Sequence, residues 1–203
     1  MRSIKVAGID PSLTHTGIAK GRYELDTGNL TIERVLCVRT EAETGKTVRR
    51  NSDDLRRASV MTQALYDEVG DCDIIFSEIP TGAQSARAAL AFGIVVGAMA
   101  GITTSPGFKP AFVQVLPHQV KSSIPGGTKN TSKEEIIEWA VQSWPGAGWI
   151  EAAKGRKFDF PDLKLKLGGD AEHPADACAA INAGLLTDDC RNLLALFRKL
   201  VAQ

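Results

Sequence analysis

The chain has 203 residues, of which 43% are hydrophobic and 24% charged, as is typical of a globular domain. Basic and acidic residues number 24 each, so the formal net charge is zero. This balance excludes the strong basic excess that many nucleic-acid-binding proteins carry, although positive charge can still be concentrated on one surface. The length predicts a single α/β domain over residues 1–203.

The first predicted element is a buried strand over residues 3–10, indicated by an apolar stretch that ends in Asp10. A carboxylate at the end of a strand is held rigidly, and such positions suit metal-dependent phosphoryl transfer. Alone, an Asp before a Pro-Ser turn is more often part of the turn itself. Two further strands, predicted over 16–24 and 30–39, are joined by a hairpin turn at 26–29.

A basic segment at 40–51 precedes a predicted helix whose N-terminus lies at Ser52. The apolar stripe predicted for this helix consists of Leu55, Ala58, Met61, Leu65 and Val69. A fourth strand is predicted over 73–78, and it ends in a second carboxylate, Glu78.

The helix predicted next, over 82–102, is rich in alanine and glycine. This composition predicts tight packing on the sheet, with the glycines permitting close approach, and the apolar run falls short of transmembrane length. A fifth strand is predicted over 111–116. Ser132 and Glu135 have the spacing of a capping box, which predicts a helix that extends to about residue 143.

Two further candidate functional side chains lie near the end of the chain. Pro174 fits the first turn of a helix, and His173 and Asp176, three residues apart, can face the same way from that turn. These groups could converge in space with Asp10 and Glu78. Buried like charges at short distance repel strongly, so a cluster of this kind normally implies a bound cation.

Taken together, these segments resemble the RuvC family of Holliday-junction resolvases, including its phage members, within the RNase H-like superfamily. The resemblance covers about the first 143 residues and again residues 170–187. The motifs that carry it are the strand and turn at 8–17, the strand end at 76–78, the helix at 84–101, the basic segment at 119–127 with Lys133, and the pair His173 and Asp176.

The resemblance implies an α/β fold of RNase H type, with a five-stranded mixed sheet whose first three strands are antiparallel, flanked by helices. It implies that four residues are both catalytic and metal-ligating: Asp10, Glu78, His173 and Asp176. The cofactor implied is Mg²⁺ or Mn²⁺, with two ions in the site that activate a water and stabilise the leaving oxygen. His173 stands where many relatives have an acidic residue.

The partners implied are branched DNA and a second copy of the chain, paired through the helix at 82–102, with no membrane. The resemblance implies that Lys121 and Lys133 hold the DNA backbone. A basic cluster supplies further candidate DNA contacts at Arg49, Arg50 and Arg56. The alternative for this cluster is an ordinary solvated surface.

The implied activity is that of a crossover junction endodeoxyribonuclease, a hydrolase of DNA recombination and repair. The family often has an aromatic wedge three residues after the second carboxylate, where this chain has Thr81. Phe92 is too far into the predicted helix to replace the wedge, so we expect structure-selective cleavage of junctions, forks and flaps. The alternatives are a non-catalytic branched-DNA-binding protein and an actin-like ATPase, for which residues 126–128 are a lone phosphate-loop candidate.

Residues 144–172 fall outside the resemblance, and we interpret them as an insertion beside the active site. Basic residues are interleaved there with Phe158 and Phe160, which suits contact with phosphates plus stacking on bases. The alternative is a surface elaboration held by a few buried rings. The basic residues of this segment are Lys154, Arg156, Lys157, Lys164 and Lys166.

The last predicted element is an amphipathic helix over 189–203. The side chains expected to pack on the core are Leu193, Leu196, Phe197 and Leu200. The four cysteines lack the spacing of a metal site or a disulfide framework, and no signal peptide is predicted. We therefore expect reduced thiols and a cytoplasmic location, in a bacterial cell or a phage-infected host.

Overall fold

A computed structural model describes residues 2–79 and 82–200. Its central sheet has five strands in the order β3-β2-β1-β4-β5, and a separate two-stranded hairpin is formed by β6 and β7. The strands are β1 (Ser3–Asp10), β2 (His15–Glu24), β3 (Leu30–Arg39), β4 (Ile74–Glu78), β5 (Ala111–Val115), β6 (Phe158–Phe160) and β7 (Leu165–Leu167). The helices are α1 (Arg50–Val69), α2 (Ala86–Thr103), α3 (Pro117–Ser123), α4 (Lys133–Ser143), α5 (Trp149–Ala152), α6 (Glu172–Leu185) and α7 (Asp188–Leu200).

The strand directions confirm the predicted mixed sheet. Strand β2 runs antiparallel to both β1 and β3, whereas β4 runs parallel to β1 and β5 parallel to β4. Ile9 of β1 is in register with Ser77 of β4, and one carboxylate follows each of them in sequence. The carboxyl ends of parallel strands meet at the same edge of a sheet, so Asp10 and Glu78 lie side by side at that edge.

Two hydrophobic cores lie on opposite faces of the sheet. On one face α1 and α2 pack through Met61, Leu65, Val95 and Met99. On the other face α6 is the central element, and α3 and α4 pack against it. Alternate residues of a strand point to opposite faces, which is why Ile9 belongs to the first core and Phe76 to the second.

Helix α6 rests almost directly on the backbone of the two central strands. A Cβ atom at Gly8 of β1 would lie 1.9 Å from the carbonyl oxygen of Ala177, and one at Gly17 of β2 would lie 2.1 Å from that of His173. Any larger residue at either position would force the helix away from the sheet. The two glycines therefore set how close the first turn of α6 comes to the end of β1.

Helix α1 differs from the sequence prediction at its start. It begins at Arg50, with no side-chain cap from Arg49, so the start predicted at Ser52 was two residues late. Leu55, predicted to belong to the apolar stripe, is 69% exposed. The buried positions of this first part are instead occupied by charged residues, Asp54 and Arg57.

These buried charges form one hydrogen-bonded cluster beside the turn that follows Asp10. Arg57 Nη2 donates to the Leu13 carbonyl and, at 2.9 Å, to Thr14 Oγ1, both in that turn. Its Nη1 lies 3.8 Å from Asp54, whose two carboxylate oxygens accept hydrogen bonds of 2.5 Å from Arg87 on α2. Because each charge has a partner, the cluster can remain in the interior.

Helix α2 does not pack as its glycines suggested. Nothing lies within 4 Å of a Cβ placed at Gly93, Gly97 or Gly101, so these residues face away from the sheet. The expectation that they permit close approach to the sheet was wrong, because the buried side of the helix is formed by Val95, Met99 and Ile102. By length and composition this 18-residue helix, with a mean hydropathy of 1.7, could cross a membrane, but a single such helix is weak evidence of a span.

The remaining differences concern the second half of the chain. Helix α3, which carries Lys121 in its last turn, was not predicted from the sequence. In α7 the buried leucine is Leu194, whereas Leu196 is 56% exposed; the side chain of Leu200 lies outside the described residues, as does Thr81. The capping box of α4 is confirmed, because Ser132 and Glu135 bond each other's backbone N–H groups. All four cysteines are buried and unpaired.

Candidate active site

A cavity of about 370 Å³ opens where β1 and β4 end and α6 begins. It is lined by all four residues predicted to be catalytic and by both predicted lysines: Asp10, Glu78, His173, Asp176, Lys121 and Lys133. These residues come from five elements of the chain, β1, β4, α3, α4 and α6, and the fold brings them to one place.

Local structure fixes each acidic group. Asp10 is the last residue of β1 and stands opposite Gly17, so its side chain points to the face that α6 covers. Glu78 is the last residue of β4. His173 and Asp176 lie at the start of α6, three residues apart, and therefore project from the same side of its N-terminal region.

The shortest contact in the cavity joins the strand to the helix. His173 Nδ1 lies 2.8 Å from Asp10 Oδ2, within hydrogen-bonding distance. Burial lowers the pKa of His173, but the hydrogen bond and the charge of Asp10 outweigh it, so the pKa is raised overall. The imidazole is thus held in one orientation against the carboxylate.

Three residues behind His173 were not found from the sequence. The ring of His15 stacks on that of His173, with centroids 5.3 Å apart and planes 1° from parallel. Asp170 lies 3.8 Å from His15 Nε2 and accepts a hydrogen bond of 2.5 Å from Arg39 Nε. Only His15 had a visible signal, because it follows Asp10 in the same motif.

The two other carboxyl groups resist ionisation. Burial and the nearby charge of Asp10 raise the pKa of Glu78 to about 7. Burial and the charges of Asp10 and Glu78 likewise raise the pKa of Asp176 to about 7. Both shifts have the same origin: three carboxyl groups share a poorly solvated space, and their negative charges repel.

A fourth carboxylate, Glu172, also lines the cavity and escaped the sequence analysis. Its Oε1 lies 3.1 Å from Lys133 Nζ and 3.7 Å from His173 Nε2. Burial lowers the pKa of Lys133, but the bond to Glu172 and the other carboxylates outweigh it and raise the pKa. Lys133 therefore stays charged beside the acidic groups. The sequence offered one clue to Glu172, which is that it directly precedes His173.

Known structures share this arrangement of strands and helices. Thermus thermophilus RuvC, solved in complex with Holliday junction substrate, aligns with a TM-score of 0.57 at 18% identity, covering 89% of this chain and 92% of that chain. A second structure of Thermus thermophilus RuvC gives 0.52 at 22% identity, with the same coverage. The fold is RuvC-like. The Fowlpox virus resolvase, solved with substrate Holliday junction DNA, gives 0.50 at 11% identity over 91% of this chain and 100% of that chain.

The RuvC-like fold confirms the resemblance found in the sequence at the level of architecture. None of the protein-family models or curated proteins matches the sequence. At identities of 22% or less the likeness shows the fold alone.

The cavity gathers oxygen donors, with one imidazole beside them. Among residues 2–79 and 82–200, no three His, Cys, Asp or Glu side chains are near enough to one another, as they stand, to hold an ion. The acidic groups nevertheless line one cavity, and two of them have raised pKa values that a nearby cation would reverse. Oxygen-rich sites suit Mg²⁺ and Mn²⁺. Binding therefore requires these side chains to approach one another.

The remaining predicted residues lie elsewhere in the RuvC-like fold. Arg49, Arg50 and Arg56 are outside the cavity, at the start of α1 and within its first turns. The guanidinium of Arg56 is already engaged with Asp53 at 2.6 Å and with Glu43 at 3.2 Å. Contact of these arginines with DNA stays a prediction.

One aromatic residue lies nearer to the site than its predicted place in the helix indicated. Phe92 was expected to lie too far into the helix to replace the wedge, and its side chain lines the cavity with the acidic groups. The reason is that α2 begins at Ala86, four residues later than predicted, which brings Phe92 into its second turn. An aromatic ring is thus present at the site without occupying position 81.

Proposed function

We propose that the protein is a metal-dependent endonuclease that hydrolyses phosphodiesters in branched DNA, with Holliday junctions as the first substrate to test. The observation that supports this most strongly is the cavity that Asp10, Glu78 and Asp176 line together with Lys121 and Lys133. Carboxylates gathered with lysines suit a substrate that is an anion and a reaction that needs a cation. The RuvC-like fold is consistent with this chemistry.

Each residue has a distinct task in this proposal. Asp10, Glu78 and Asp176 would hold two divalent ions, with His173 as a further ligand or proton-handling group. Such ions, when bound, activate a water and stabilise the charge on the leaving oxygen. Lys121 and Lys133 would hold the phosphate backbone at the cavity. His173 would keep the carboxylate of Asp10 in one orientation through their 2.8 Å contact.

The decisive experiment is a cleavage gel on labelled DNA. Four-way junctions, forks and flaps are compared with a linear duplex of the same sequence, each with Mg²⁺, with Mn²⁺ and with a chelator. We expect metal-dependent cuts in at least the four-way junction and none in the linear duplex. ATP hydrolysis, measured in parallel, should stay at background. Intact branched DNA under every condition would contradict the proposal, and ATP turnover would favour the actin-like alternative.

Metal binding should also be visible as a pH-dependent gain in thermal stability. The folded-state pKa values of Glu78 and Asp176 are about 7, above their unfolded values, so these groups lower stability as pH rises toward 7. A cation relieves this cost only when the groups are ionised. We therefore expect Mn²⁺ to raise the melting temperature more at about pH 8 than at about pH 5.5.

The variant Asp176→Asn provides the control for this melting experiment. Removing the buried charge should raise the metal-free melting temperature at about pH 8 and abolish most of the increment from Mn²⁺. An increment that is equal at both pH values, or unchanged in the variant, would show that the ion binds elsewhere.

We also propose that two copies pair through α2. The exposed side of this helix is apolar and small: Ala89, Leu90, Gly93, Val96, Gly97, Ala100 and Gly101. Leu90 is 48% and Val96 40% exposed, which is unusual for large apolar residues. A second copy of the helix fits this face, since glycines let two helix backbones approach closely. Two symmetric cuts across a junction also call for two related active sites.

Light scattering tests this pairing. The native chain should have a mass near twice 21.7 kDa, and Ala100→Glu, on the apolar face, should return it to about that of one chain. Ala195→Glu, an exposed alanine on α7, makes the same change on another helix and should stay paired. A mass near 21.7 kDa for the native protein, with and without a junction, would rule out the paired-cut mechanism and favour cleavage of flaps or forks.

A further inference from the structure

Positive charge is concentrated in one exposed part of the insertion, a loop and the hairpin after it, which we call the basic hairpin (residues 154–167). Its five cationic side chains are all exposed: Lys154, Arg156, Lys157, Lys164 and Lys166. Only two acidic residues, Asp159 and Asp162, lie in the same segment. The chain as a whole is neutral, so this excess of three charges is a local feature.

Four of these five cations have no carboxylate partner among the residues that the structure describes. Of the five, Lys166 alone forms an ion pair within the described parts of the chain, at 2.6 Å from Asp159. Lys157 lies over the ring of Phe158, 5.1 Å from its centroid. On the central sheet, by contrast, basic side chains are matched with acids: Arg2 with Asp26, Lys5 and Lys20 with Asp71, Arg22 with Glu33, and Arg34 with Glu68.

The basic hairpin is anchored to the protein. Leu165 and Leu167 are buried, and the rings of Phe158 and Phe160 pack on the same core. At its base Gly168 donates a 2.8 Å hydrogen bond to the Ala153 carbonyl. Both rings are partly buried in this packing, which holds the basic hairpin against the protein. Its five cations are exposed on this fixed support. Stacking of the rings on bases stays a prediction.

A series of contacts links the basic hairpin to His173 in the cavity. The stem of Lys157 comes within 3.6 Å of where a Cβ would stand at Gly169. The next residue, Asp170, lies 3.8 Å from His15, whose ring stacks on His173. The phosphates that flank one bound in the cavity would therefore lie near these cations.

We propose that the basic hairpin binds the phosphate backbone of a duplex arm of the branched DNA whose cleaved phosphate lies in the cavity. This inference rests on the proposed function. The recognition is electrostatic and independent of base sequence, because the contacts proposed join lysine and arginine side chains to phosphates. The role of the basic hairpin is to hold an arm, and the chemical step belongs to the cavity.

The test compares two triple variants that remove the same charge. Lys154→Gln, Arg156→Gln and Lys157→Gln are combined in the hairpin variant. The control variant combines Arg22→Gln, Lys109→Gln and Lys199→Gln, three exposed residues away from the cavity. Circular dichroism and thermal melting establish that each is folded. Binding to a four-way junction is then measured by fluorescence anisotropy, with a chelator present, between about 50 and 200 mM salt.

We expect the hairpin variant to bind about tenfold more weakly than the native chain. Its salt slope should be smaller by about one for each phosphate that is no longer neutralised. The control variant should match the native chain. In single-turnover reactions with saturating protein, the hairpin variant should cleave at the native rate. Replacing Lys154 and Lys157 by arginine should preserve binding, since the charge is kept.

Three results would overturn the inference. Native affinity and salt slope in the hairpin variant would show that the cations stay in solvent. An equal loss of affinity in both variants would show that the effect depends on net charge and not on the position of the cations. Failure of the native chain to bind or cleave any branched DNA would refute the proposed function itself, on which the inference depends. This outcome is detected with the native chain, before any variant is made.

Discussion

Replacement of Asp10 by asparagine should abolish cleavage of branched DNA, lowering the single-turnover rate by about a thousandfold or more. Asn keeps the size of the side chain but removes the charge that lies nearest to His173 and that repels Glu78 and Asp176. Junction binding should be retained or become slightly tighter, because a negative charge that faces the phosphate is removed. The rate and the affinity are measured separately, by quenched cleavage and by anisotropy.

Two companion variants sharpen this experiment. Glu78→Gln should resemble Asp10→Asn, and the double variant should be little worse than either, because ligands that act as a unit are not additive. Glu24→Gln, at the other end of β2, removes an acidic charge far from the cavity and should cleave normally. Cleavage by Asp10→Asn within a few-fold of the native rate would refute the assignment of the site.

Substitution of Gly17 by alanine should lower both the stability of the fold and the activity of the site. A Cβ there would stand 2.1 Å from the His173 carbonyl oxygen, so the first turn of α6 has to move away from the sheet. We expect a loss of about 3 kcal/mol in the free energy of unfolding, and roughly 6 to 12 °C in melting temperature. Cleavage should fall about a hundredfold even where the variant is fully folded, because a shift of ~1 Å misplaces His173 and Asp176.

Gly146→Ala is the matched control for this variant. Nothing lies within 4 Å of a Cβ at Gly146, and its backbone is not left-handed, so both stability and cleavage should stay near native values. A Gly17→Ala protein with native stability and native activity would mean that α6 is free to shift without consequence for the site.

The sequence predicted the sheet and the acidic cluster because both rest on local patterns. Strand β1 was predicted with its true ends, and its apolar run and terminal Asp10 are adjacent in sequence. The placement of His173 and Asp176 followed from helix periodicity and from Pro174. Where the pattern is local, the position of a side chain follows from the element that carries it.

The features that were missed depend on contacts between distant segments. Leu55 was assigned to the core because apolar residues are usually buried, but Arg57 is held inside by Thr14 and Thr40, which are far from it in the sequence. The stacking of His15 on His173 joins residues of β2 and α6. The open side of α2 was misjudged because glycine has the same appearance in sequence whether it permits packing on a sheet or on another helix.

The cluster of Asp54, Arg57 and Arg87 has a consequence for how the two strand-end carboxylates behave together. Arg57 donates hydrogen bonds to the turn that follows Asp10. Arg87, which donates to Asp54, lies at the start of α2, the helix that follows Glu78 in the chain. Asp54 contacts both arginines, so the turn after Asp10 and the start of α2 are linked through one carboxylate. Because α2 follows Glu78 in the chain, we expect a displacement of α2 to affect Asp10 and Glu78 together.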